Sequence, residues 1–181
     1  MSSPQLLGQL GMTHELLTQL IESTPEPDCY RNFNPQLAPL AWYLGRSVYN
    51  ETYWLREVIQ GDDDLTSRVR EMFISDGMPH QEQWSRLPPK DHLLNWALEI
   101  QDENLKRIAN PRLLPDHPLL RNDRLLHHLL QQHHHIYEQM LMVLTERQLY
   151  HGEHLHQVKA ALQGRTPSAD AVNISQGHYR I

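Results

Sequence analysis

From residue 124 to residue 150 the chain reads RLLHHLLQQHHHIYEQMLMVLTERQLY, with no proline or glycine to interrupt it. Leu125, Leu129, Ile136, Met140 and Leu144 recur at three- and four-residue spacing, and side chains so spaced share one face of an α-helix. Asn122 or Asp123 stands in front as a helix cap. A helix this long with one apolar stripe must bury that stripe against other helices, so the rest of the sequence should supply them.

It does. Leu6, Leu10, Leu17 and Ile21 mark a first helix that stops at Pro25 and Pro27. A second runs from about Gln36 to Gln60, with Leu40, Leu44, Val48, Leu55 and Ile59 inward, Pro39 in its first turn and Gly61 as its stop. A short helix covers Asp64 to Phe73, and a loop follows over residues 75–89. Asp91 is placed to cap a third long helix that carries Leu94, Ala97, Leu98, Leu105 and Ile108 inward and ends at Asn110-Pro111. A short fifth helix is expected over His154 to Leu162. No strand pattern and no internal repeat stands out. The expected fold is all-α: a four-helix bundle with long connections, over residues 1–163, followed by a tail, residues 164–181, without helical period.

The stripe of the last long helix is broken at its centre, where Gln132 or His133 takes the place of an apolar residue. A polar side chain inside a bundle needs a partner, and bundles keep metal and ligand sites at such points. The chain carries 13 histidines, many of them between residues 127 and 156. His134 with Glu138 meets i, i+4 ligand spacing, and His135 with Glu138 meets i, i+3. Consecutive histidines point about 100° apart, so the triplet His133, His134 and His135 cannot converge on one ion. One metal-binding reading therefore uses His133 or His134 with Glu138, aided by His127 or His128. The plainer reading leaves His134 and His135 in solvent and makes His133 a hydrogen-bonded core residue. The run HGEHLH at residues 151–156 could hold an ion weakly at the surface.

Other features narrow the function. A formal net charge of −6 argues against a general nucleic-acid binder. No apolar run approaches the ~20 residues that span a bilayer, and the expected location is cytoplasmic. The single cysteine, Cys29, excludes an internal disulfide and is read as an inert apolar residue. Trp42, Trp54, Trp84 and Trp96 read as core and loop anchors. His80 and Glu82 lie close together without a third ligand. P-loop, dinucleotide-binding, nucleophile-elbow and HExxH motifs are missing from the sequence.

Two stretches carry a family resemblance. APLAWYLGRSVYNETYWLREVI, in the second helix, and DHPLLRNDRLLHHLLQQHHHIYEQMLMVLTERQL, in the last, resemble the DinB-like (DinB/YfiT) N-terminal domain of EgtB-type sulfoxide synthases and related formylglycine-generating-enzyme-like proteins. The resemblance covers roughly residues 35–150 and implies a DinB/YfiT-like four-helix bundle. Family members hold a non-haem iron through the second histidine of a WHLGH motif and the pair in HxxxHxE. In this sequence those positions fall on Arg46, Gln132 and Ile136, and the other WHLGH histidine is Tyr43. What the resemblance preserves is the frame: Trp42, Leu44, Gly45, Glu51, Tyr53, Trp54, Tyr137, Glu138 and Met140.

The resemblance thus implies a bundle that has lost the family's iron site, with no cofactor expected. In its place would be a polar centre of Tyr43, Arg46, Gln132, His133 and Glu138, in which Arg46 faces Gln132 and Glu138. Its expected function is a non-catalytic binding or structural module. The alternative is a metal-binding domain, for iron or another divalent ion, with a relocated site around His133, His134 and Glu138. The tail VNISQGHYRI resembles the opening of the formylglycine-generating-enzyme-like domain that follows DinB in such proteins. Either that domain or a second copy of the chain is the expected partner.

Overall fold

The computed structural model describes residues 3–74 and 78–152. Among them every regular element is helical. The α-helices are α1 (Pro4–Glu22), α2 (Glu26–Tyr30), α3 (Leu40–Thr52), α4 (Asp64–Phe73), α5 (His80–Ser85), α6 (Lys90–Ala109) and α7 (Arg124–Tyr150). A π-helical stretch, Tyr53–Gln60, prolongs α3, and two 3₁₀ stretches, Pro111–Leu113 and Pro118–Asp123, lead from α6 to α7. The long helices α1, α3, α6 and α7 pack together, α1 and α3 each touching both α6 and α7. No helix among the described residues is long and apolar enough to cross a membrane.

Several element ends differ from the sequence reading for local reasons. Helix α3 begins only at Leu40, because Pro39 sits at the N-cap with an extended ψ of 151° that helix geometry does not allow. Gly61 ends the prolonged helix as expected, in the left-handed region at φ 73°. Asp91 lies in the first turn of α6 but does not cap it; Pro89 holds the N-cap position. Asn122 and Asp123 both adopt positive φ before α7, and the Asp123 carboxylate accepts from the Ser3 backbone N–H at 3.3 Å rather than from its own helix. Pro25 and Pro27 do stop α1, yet the residues around them form the one-turn helix α2. Leu98, expected inward, is exposed, and Leu93 and Ile100 take its place in the core. The segment His154–Leu162, the tail from residue 164 and most of HGEHLH lie outside the described residues.

Along their length the four long helices enclose two separate apolar clusters. One gathers Leu17, Ile21, Leu44, Val48, Ala97, Ile100, Ile136 and Met140. The other gathers Leu10, Leu55, Ile59, Ile108, Leu125 and Leu129. Each helix crosses from one cluster to the other through buried polar residues: Thr13 and His14 on α1, Glu51 and Thr52 on α3, Gln101 and Asn104 on α6, and His133 on α7. A buried polar layer therefore divides the core. Fully burying each large apolar side chain contributes ~1.5–3 kcal/mol, whereas a buried polar group without a partner costs about 1–3 kcal/mol. Interruption of all four stripes at one level costs stability, so the layer needs a physical reason.

Helix α4 is fastened to α3 at its C-terminal end. The Trp42 indole N–H donates to the Met72 carbonyl at 2.9 Å, and Arg46 donates to the Phe73 carbonyl. The Phe73 ring lies directly over Gly45, in space that any Cβ there would enter, and it stacks on Trp96 with the planes 8° apart. Near α2, Cys29 is fully buried with its thiol toward the carbonyls of Ile21 and Thr24. Burial pushes that thiol up to about 11. Cys29 should consequently be inert to a thiol reagent in the native protein at neutral pH and react stoichiometrically in denaturant. Rapid native-state labelling would show that α2 opens.

Candidate metal centre

Helix α1 turns His14 inward because Leu10, His14, Leu17 and Ile21 fall on one helical face. Helix α3 does the same for Glu51, between Val48 and Leu55, and α7 for His133, between Leu129 and Ile136. The three side chains meet in the polar layer. His14 Nε2 lies 2.7 Å from Glu51 Oε2 and His133 Nε2 lies 3.2 Å from the same oxygen. The imidazole centroids are 5.2 Å apart. Each residue offers one ligand atom, and all of these atoms lie within 4.8 Å of one another. The Glu51 and His133 side chains are 0% exposed.

Hydrogen bonding leaves this cluster incompletely satisfied. His14 Nε2 and Glu51 Oε2 share a hydrogen bond. His133 Nε2 is close enough to Glu51 for an ion pair but not directed as a hydrogen bond, and Glu51 Oε1 and both Nδ1 atoms have no hydrogen-bond partner among the described residues. On α6, Gln101 is likewise buried with neither side-chain polar atom bonded, while Asn104 donates to Thr52 Oγ1 at 3.3 Å. Burial alone would raise the Glu51 carboxyl, but the attraction of His14 and the polar contacts of His133 and His14 outweigh it. The group is held well below the usual carboxylate range. A fully buried carboxylate needs positive charge beside it. Among the described residues the groups paired with it are the imidazoles of His14 and His133, so an imidazolium or a bound metal cation would supply that charge.

The donor set suits a cation. Two imidazoles and a carboxylate are a common ligand set for zinc and for non-haem iron. Ligands about 2.0–2.2 Å from a tetrahedral ion stand about 3.3–3.6 Å from one another. Glu51 Oε2 is 3.2 Å from His133 Nε2, near that spacing, and 2.7 Å from His14 Nε2, a hydrogen-bonded distance that would open on binding. Among the described residues, this is the single group of three or more metal-ligating side chains so arranged.

The residues singled out in the sequence fall in three places. His133 enters the buried cluster. His134 and Glu138 are exposed and line an open surface cleft on α7 with His127, Gln131 and His135, so His133, His134 and Glu138 do not converge. His134 Nε2 instead approaches Thr13 Oγ1 at 3.4 Å. Tyr43, Arg46, Gln132 and Ile136 do come together, lining a cleft of about 230 Å³ between α3 and α7. The expected polar centre is thus divided, with His133 buried on one side and Glu138 outside. Arg46 does not pair with Glu138; it donates to the Phe73 carbonyl, and its guanidinium lies against Trp42 and Tyr49. His128, a possible helper in sequence, packs its ring on Trp54. Asp28, Arg147 and His151 form a separate ion-pair group fastening α2 to the end of α7, with Asp28 2.8 Å from Arg147 and 3.2 Å from His151.

His14 was missed in the sequence, and Glu51 was read only as part of the frame. The signal was present as a gap: the first stripe passes from Leu10 to Leu17, and the second from Val48 to Leu55. No protein-family model and no curated protein matches the chain.

Proposed function

We propose that the chain is a DinB-like four-helix bundle that binds one divalent transition-metal ion between His14, Glu51 and His133, and that it works as a binding or structural module. The observation that carries this reading is a solvent-excluded carboxylate within 3.2 Å of two imidazoles, one of which makes no directed hydrogen bond. Zinc or iron(II) fits the set. The ligands come from three helices, so binding would add directly to folding stability. A catalytic metal keeps an open position for substrate; the burial of all three side chains favours a structural or storage role over turnover. The resemblance of α3 and α7 to DinB-like helices supports the bundle type, with the ligands displaced from the family positions at Arg46, Gln132 and Ile136. A formylglycine-generating-enzyme-like domain, or a second copy, is the partner this reading carries forward.

One observation favours a second reading. The direct 2.7 Å hydrogen bond between His14 and Glu51 is what a metal-free imidazolium–carboxylate pair would make, and buried pairs of this kind can fix helix register. Equilibrium dialysis of the full chain, made without an affinity tag, against zinc separates the two. The metal reading expects one tightly held equivalent in the parent, its loss in Glu51→Gln and His14→Ala, and its retention in His134→Ala and Glu138→Gln. A parent that holds no more zinc than Glu51→Gln selects the metal-free pair.

A further inference from the structure

The cleft between α3 and α7 has a composition of its own. It is lined by Trp42, Arg46 and Asn50 from α3 and by Gln132, His135 and Gln139 from α7, and no Asp or Glu among the described residues lines it. The spacing explains the convergence: positions 42, 46 and 50 follow one face of α3, and 132, 135 and 139 follow one face of α7. In a chain of net charge −6, a cleft with one cation, three carboxamides, an imidazole and no acid stands apart.

Arg46 is the centre of it. The guanidinium is half-buried and pairs with no carboxylate among the described residues; Nη1 donates to the Phe73 carbonyl, which leaves further N–H groups of the fork. Removal of a guanidinium from water without a counter-charge is unfavourable. The side chain is nevertheless held in place, by the Phe73 carbonyl and by the faces of Trp42 and Tyr49, whose centroids lie 5.9 and 5.8 Å from it. A positioned, unpaired, partly desolvated cation ringed by amide donors is a receptor for an anion.

We propose that this cleft binds a small organic carboxylate. One fixed positive charge matches a monoanion. The planar guanidinium matches a planar carboxylate, to which the amides of Asn50, Gln132 and Gln139 can add hydrogen bonds. Trp42, with Ile136 beside it, offers apolar surface for the carbon body of the acid. About 230 Å³ is less than the pockets that take drug-sized molecules, so the ligand is small. This site shares no residue with His14, Glu51 and His133 and stands whether or not those bind metal.

The test is titration of the full chain with benzoate, and separately with inorganic phosphate, followed by tryptophan fluorescence and calorimetry at fixed ionic strength. Benzoate should bind saturably at one site and change the fluorescence, and Trp42→Phe should remove most of that change. Arg46→Gln should weaken binding about tenfold or more, because it removes a charge-assisted contact. Arg46 also ties α4 to α3, so Gln132→Glu serves as the second variant: it keeps the side-chain shape, places a carboxylate in the cleft and should abolish benzoate binding with the helical circular dichroism unchanged. His134→Ala, outside the cleft, should bind as the parent does. Absence of saturable benzoate binding, equal binding by Gln132→Glu, or binding of phosphate alone would each overturn the proposal.

Discussion

Glu51→Gln is expected to be the most damaging single exchange in the polar layer. It removes the negative partner of two buried imidazoles while keeping volume and shape. Loss of one member of a buried charged set costs about 3–5 kcal/mol, which for a chain of this size lowers Tm by roughly 10 °C. The pH dependence has a definite sign. The folded Glu51 carboxyl is held below its unfolded value near 4.5, so between the two the unfolded chain binds the extra proton. Stability from Glu51 is present above pH 4.5 and lost as pH falls toward the depressed folded value. Asp28, Glu57 and Glu103 are lowered too, so the quantity to measure is parent minus variant. Urea unfolding of both from pH 6 to pH 3 should show the difference shrinking with acid. A constant difference would mean that Glu51 is not held ionised in the fold.

Gly45→Ala is the second large effect, and two contributions oppose each other there. Alanine in a helix interior is favoured over glycine by about 1 kcal/mol. Against this, a Cβ at position 45 would enter the space of the Phe73 ring, and overpacking of that kind costs about 1–3 kcal/mol. The clash should win, because a Cβ at position 45 would come within 2.5 Å of two Phe73 ring atoms and any shift of the ring disturbs its packing against Trp42, Tyr49 and Trp96. In a Phe73→Ala background the sign should reverse, with Gly45→Ala then stabilising. Chemical denaturation of the two single variants and the double variant reads this directly; Gly45→Ala stabilising in the parent would mean that α4 does not seat on α3 as described.

Much of the fold was legible because it rests on periodicity. The stripes of α1, α3 and α7 name their buried faces correctly, and Gly61 ends its helix through the positive φ it alone adopts without strain. The errors lie where one residue decides geometry. Pro39 delays the start of α3 by its own extended ψ, and Leu98 turned outward because α6 buries Leu93 and Ile100 in place of it. The candidate site was half legible. His133 could be picked out as the break in the α7 stripe. Its partners could not be named from α7 alone, since local spacing pairs His134 with Glu138 and says nothing of what α1 and α3 bring across the core. The usable signal was collective: the apolar stripe fails at His14, at Glu51 and Thr52, at Gln101 and Asn104, and at His133. Four interruptions at one level are more informative than three adjacent histidines, because neighbours on a helix diverge while residues on facing helices converge.

The most direct measurement of the metal centre is a crystal of the full chain grown with zinc and its anomalous scattering recorded on both sides of the zinc absorption edge. Binding in the polar layer predicts one strong peak enclosed by His14 Nε2, His133 Nε2 and a Glu51 oxygen, about 2.0–2.2 Å from each, and no such peak in Glu51→Gln. Peaks confined to surface histidines such as His134 and His135, with the His14–Glu51 hydrogen bond intact, would contradict it.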